Sequence, residues 1–123
     1  MRGLWQRWDM GLAQVELESF DLVSDHVNLG EALSFCLKIK SLAKVSQPLI
    51  IDFILHHRLA NGKTSPKVFK WRNLALGARK HLSIQKRHRM KPITTRKYYT
   101  GGHRVEIVIN GKLLCARNFD LVI

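Results

Sequence analysis

From Val15 onward, hydrophobic and polar residues alternate with the period of two that marks a strand with one buried face. Val15 and Leu17 alternate with Glu16 and Glu18, after which Phe20 and Leu22 shift phase. That shift predicts a first strand with a bulge near Ser19. Asn28-Leu29-Gly30 reads as a turn, and Leu33, Phe35, Leu37 and Ile39 follow as one face of a long strand. Its other face carries Ala32, Ser34, Cys36 and Lys38, so Cys36 is expected to point away from the core. Ser46, Gln47 and Pro48 are expected to bracket the next turn. Residues Leu49 to Arg58 form the most apolar run, with Leu49, Ile51, Phe53 and Leu55 on one face and Ile50 and Ile54 on the other. This predicts a central strand covered at least in part on both sides.

Ala60-Asn61-Gly62-Lys63 marks a turn. Pro66 limits the Lys67 to Trp71 segment to an edge strand or the start of one, because proline brings no N–H to a ladder. Leu82, Ile84, Lys86, His88 and Met90 share one phase of a further strand, and Val105, Ile107 and Ile109 share one phase of the next. Asn110-Gly111 is a hairpin signal, since both positions of a tight two-residue turn take positive φ. A last strand from Lys112 to Val122 is expected to turn Cys115, Phe119 and Leu121 inward. About seven strands at this spacing predict an all-β fold, an immunoglobulin-like or fibronectin-type antiparallel β-sandwich. The antibody-type tryptophan and cysteine pins are missing. The sandwich is expected over residues 14–123, after a leader or linker over residues 1–13 in which Leu4, Trp5, Trp8 and Leu12 recur at helical spacing.

Composition adds a charge pattern to this outline. The 123 residues carry 21 Lys and Arg against 9 Asp and Glu, a formal net charge of +12. No acid occurs between Phe53 and Val105. A folded domain cannot neutralise such a block internally, so its field is directed outward at a polyanion. The competing reading is a plain solubility surface. Cys36 and Cys115 show no metal-like spacing, no secretory-type leader or membrane-length apolar run is visible, and a reducing cytoplasm with both thiols free is expected.

Candidate chemistry is sparse. His56 and His57 are sequence neighbours, and on a strand neighbours point to opposite faces, so they cannot chelate one ion together. Asp52 is expected to pair with a nearby Lys or Arg. No cofactor or metal is implied. The informative segments are two basic loops. The first supplies Asn61, Lys63, Thr64, Ser65, Lys67 and Lys70. The second supplies Arg89, Lys91, Thr94, Thr95, Arg96, Lys97, Tyr99, His103 and Arg104. Lysine and arginine neutralise phosphates and release counterions. Hydroxyl and amide groups add neutral hydrogen bonds to phosphate oxygens, and tyrosine can stack. A corner tyrosine that ties a loop is the structural alternative for Tyr98 or Tyr99, and turn stabilisation is the alternative for Thr94 and Thr95.

The strings Asn61-Gly62-Lys63-Thr64-Ser65-Pro66-Lys67-Val68-Phe69-Lys70 and Lys91-Pro92-Ile93-Thr94-Thr95-Arg96-Lys97-Tyr98-Tyr99, with Gly102-His103-Arg104 after them, resemble the C-terminal β-domain of AlkC-type bacterial DNA alkylation repair glycosylases. The resemblance runs from about Val15 to the end. It implies a non-catalytic module that clamps double-stranded DNA beside a HEAT-like repeat glycosylase domain, which would hold the catalytic residues. A free-standing module, a fragment and a module beside a separately encoded partner all satisfy it. Two other classes remain beside it. One is a protein-interaction sandwich pairing through an edge strand. The other is an enzyme acting by itself on alkylated DNA, to which the residues lend little.

Overall fold

A computed structural model describes residues 13–58, 63–90 and 101–122. Eight strands follow one another: β1 (Val15–Leu22), β2 (His26–Asn28), β3 (Ala32–Ser41), β4 (Gln47–Arg58), β5 (Thr64–Leu76), β6 (His81–Arg89), β7 (Gly101–Ile109) and β8 (Lys112–Val122). They form two sheets, one of three strands in the order β1-β3-β6 and one of five in the order β2-β8-β7-β4-β5. The chain is an all-β immunoglobulin-like sandwich.

Alternation builds the core. Leu33, Phe35, Leu37 and Ile39 of β3 and Leu49, Ile51, Phe53 and Leu55 of β4 are all buried and face each other. Burying each such side chain contributes roughly 1.5–3 kcal/mol. Aromatic edges tie the core together: Phe35 meets Phe20 of its own sheet at 5.7 Å and Phe53 of the facing sheet at 5.3 Å, both edge-on. The phase shift in β1 is a register break between Leu17 and Ser19, and Cys36 lies on the outer face of β3, 3.9 Å from the Ser83 hydroxyl. The Asn110-Gly111 turn takes φ of 51° and 83°, as the hairpin requires.

The structure differs from the sequence pattern in two places. The described residues hold eight strands, because the three-residue β2 pairs with β8, in parallel, and buries only Val27. A segment that short has no periodicity to read. Gln47 and Pro48 belong to β4 and not to a turn; the proline sits at the second position of the strand, where a missing N–H is tolerated. The Lys67 to Trp71 segment lies, as expected, within an edge strand, β5, which runs thirteen residues. Strand β4 is covered in full on its inner face and in part on the other, where Asp52, Ile54 and His56 are half-buried and Ile50 is 47% exposed.

The two sheets differ by two strands in width. Across the core β1 lies near β8 and β6 near β5. The free edges of β5 and β6 therefore border an open margin of the sandwich.

Candidate nucleic-acid interface

The stems of both basic loops meet at one end of the sandwich. Strand β4 runs up to the first loop and β7 runs down from the second, and the two are antiparallel neighbours with His56 opposite Arg104. Arg58 pairs with Thr64 across the first loop. Beneath them the buried rings of His57 and His103 lie 6.0 Å apart, and His103 leans on Phe119 at 5.6 Å. Strand alternation sends His56 the other way, to the outer face. There its Nε2 is 2.7 Å from Glu106 Oε1, while Arg104 Nε forms an ion pair with Glu106 Oε2 at 3.2 Å. Glu106 thus ties the two stems together. The depression around it, about 790 Å³, also takes in Asp25 and Asp120, so this side of the loop end is mixed in charge.

The remaining candidate residues divide by strand phase. Lys63 and Thr64 are exposed at the mouth of the first loop, and Ser65 is half-buried opposite His57. Lys67 and Lys70 are exposed on opposite faces of β5, because they are three residues apart. Arg89 is exposed on the outer face of the three-stranded sheet and donates from Nε to the Gly30 carbonyl at 3.1 Å. Asn61, Lys91, Thr94, Thr95, Arg96, Lys97 and Tyr99, and with them the corner-tyrosine reading, lie outside the described residues.

Two expectations need correction. His103 is 2% exposed and packs inward, so its ring is withheld from any partner on the surface. Asp52 faces Lys70 across the strand pair without forming an ion pair, and its Oδ1 is buried with no hydrogen-bond partner among the described residues. The basic block is also divided in space. Arg79 and Lys80 sit in the β5–β6 turn at the far end, where the Lys80 carbonyl accepts from Ser41 N–H at 2.8 Å.

One cluster was not singled out by the sequence pattern. At the open margin Phe69 of β5 stacks on Phe53 at 5.0 Å, and the His88 ring of β6 meets Phe69 at 4.6 Å. Trp71 stands edge-on to Phe35 at 5.1 Å. Lys67 Nζ lies 5.5 Å from the Phe69 centroid, and Lys86 Nζ lies 6.0 Å from that of Phe53. Burial, followed by the charges of Lys86 and Lys67, holds the His88 imidazole below its ordinary pKa. The available signal was phase: Lys86 and His88 share the inward phase of Leu82, Ile84 and Met90. Charged groups on an inward phase indicate a strand that overhangs the core.

Among the described residues no group of three or more His, Cys, Asp or Glu is placed to hold a metal ion. Both cysteines are free, and burial pushes the Cys115 thiol up to about 11. That value keeps it protonated and poorly nucleophilic at neutral pH. No helix among the described residues is long and apolar enough to cross a membrane.

Comparison with known proteins agrees with this geometry. YhaZ of Bacillus subtilis (strain 168) is 26% identical over 107 residues, which cover 87% of this chain and 29% of that protein. The alkylpurine DNA glycosylase AlkC of Pseudomonas fluorescens, solved bound to DNA containing an abasic-site analogue, superposes with a TM-score of 0.89 at 29% identity. That match covers 99% of this chain and 34% of AlkC, so the chain spans about a third of either relative. A β-glucosidase of Listeria innocua superposes with a TM-score of 0.72 at 17% identity, over 90% of this chain and 17% of the enzyme, a likeness of fold alone. The family described as "Uncharacterised protein YhaZ, C-terminal Ig-like domain" matches residues 16–123, and the chain belongs to that family, sharing its sandwich with AlkC.

Proposed function

We propose that this domain is a non-catalytic module that holds the backbone of double-stranded DNA in the course of alkylation repair. It would act in the cytoplasm beside a HEAT-like repeat glycosylase region that carries the chemistry. In this reading residues 1–13 are a leader or linker, and the sandwich needs no cofactor. The observation that carries the reading is the convergence of the stems of both acid-free loops at one end of the fold. Likeness to AlkC, which was solved on DNA, supports the choice of polyanion.

Rigid stems matter to such a role. The Glu106 bridge and the buried histidine rings fix where each loop leaves the sheet, so cationic side chains are presented from a set base. Backbone contacts of this kind position a protein on a duplex without reading sequence. Fluorescence anisotropy on a short duplex across a salt series tests the proposal. Neutralising about 4–6 phosphates gives a log–log slope of about −4 to −5. Affinity that ignores salt, or no binding at low salt, rejects it.

A second reading, a protein-contact module, is favoured by the outer face of the five-stranded sheet. Ile50, Val68 and Leu113 are 47%, 60% and 58% exposed there. Solitary exposed apolar residues are ordinary, but three on one sheet face suit a protein contact. Co-purification of a partner that survives nuclease and high salt would support this class.

A further inference from the structure

The open margin between β5 and β6 has the make-up of a binding site and not of a loosely closed core. Its floor is a stack of rings, Phe53 beneath Phe69, with the His88 ring against Phe69. Its sides are two lysines from different sheets, Lys67 and Lys86, each with its ammonium group near one of those rings. Phe69, His88 and Lys86 are half-buried and Lys67 is exposed. Neither β5 nor β6 contains a carboxylate to neutralise the lysines. The margin begins between the two loop stems, since β5 starts at Thr64 and β6 ends at Arg89.

From this juxtaposition we infer that the margin binds one unpaired nucleotide, with its base stacked on the Phe69–His88 shelf and its phosphate held by Lys67 and Lys86. This rests on the nucleic-acid reading above and adds to it a site for a base, not only for backbone. Every base has a π face, so such a shelf tolerates any sequence, and flanking cations follow the strand. A ring wedged into an intact duplex would have to unstack a pair, whereas an extruded or single-stranded base reaches the shelf without that cost. Burial first, and the cationic walls after it, disfavour protonation of His88, which favours the neutral ring as a stacking surface.

The test measures binding of fluorescent oligothymidylate and of a fully paired duplex to the intact chain and to Phe69→Leu, Lys67→Ala and Lys86→Gln. Thermal melts establish that each variant is folded. Phe69→Leu keeps an apolar side chain at the margin, and Lys67 is exposed, so at least that variant keeps the packing. The expected result is a loss of about tenfold in oligothymidylate affinity for Phe69→Leu, smaller losses for the lysine variants, and duplex binding little changed. If oligothymidylate binds and the variants weaken it while the duplex fails to bind, the margin site stands and the loop-end reading falls. If the duplex binds with the expected salt slope and no variant alters oligothymidylate affinity, the margin site is overturned and the loop-end reading survives. Equal displacement of the oligonucleotide by polyglutamate, unaffected by Phe69→Leu, would also overturn it, because the margin would then be a plain polyanion surface.

Discussion

Asn110 shows how one side chain can serve two purposes. The hairpin needs a residue that accepts φ of 51°, and asparagine does so at little cost. Its side chain then reaches across to β4, where Oδ1 accepts from Ile50 N–H at 2.7 Å and Nδ2 donates to the Pro48 carbonyl at 3.1 Å. The Asn110 backbone N–H adds a bond to the Ile50 carbonyl at 2.9 Å. Asn110→Gly keeps the turn geometry and removes both side-chain bonds. We expect it to lower stability by about 1–2 kcal/mol, read from urea unfolding of the two proteins side by side. A change within error would mean that water replaces those bonds in full. The turn itself was legible in the Asn-Gly pair, whereas the bonds to β4 were not, because they link positions sixty residues apart.

At the scale of elements, β6 joins packing to titration. His88 is held below its ordinary value of 6.5, so between that pH and its folded value the unfolded chain takes up a proton that the folded chain refuses. Its contribution to stability is therefore present above about pH 6.5 and declines as pH falls below it. Other histidines lie beside carboxylates, His81 by Glu18 and His56 by Glu106. The comparison is accordingly with His88→Phe, whose ring does not titrate. The gap in melting temperature between wild type and variant should move in favour of the variant from neutral pH to about pH 5. A constant gap would show that His88 does not titrate differently on folding. Strands with one clean buried face, such as β3 and β4, were readable from alternation. Strand β5 was readable only in part. It lies at an edge, faces an open margin, and carries a register shift opposite Ile51 and Asp52, so no single period runs through it. The margin cluster was hidden for the same reason, since strand order in a sheet cannot be taken from period two.

For the whole molecule the question is which end does the binding. The excess positive charge is not confined to the loop end. Arg79 and Lys80 sit at the opposite pole, separated by the length of the nine-residue β6, which at 3.3 Å per residue is roughly 30 Å. Acids are grouped too, with Glu16, Glu18 and Asp21 exposed along β1 and none on β5 or β6. The screening length at physiological salt is about 8 Å, so cations at the far pole are screened from a ligand held at the loops. Replacing Arg79 and Lys80 by glutamine should change duplex affinity less than about twofold there. The same replacement at Lys63 and Arg104 should weaken it by several-fold and flatten the salt slope by about 2. Equal effects from both pairs would point to diffuse attraction and not to a defined interface.

The unequal width of the two sheets has an evolutionary consequence. A narrow layer laid on a wide one leaves a ledge, and ordinary selection for stability would upholster that ledge with aliphatic side chains. Here it carries ammonium groups and rings instead. Leucine at Lys86 should raise the melting temperature of the domain while impairing its grip on nucleic acid, the trade expected where a protein keeps a groove open for use.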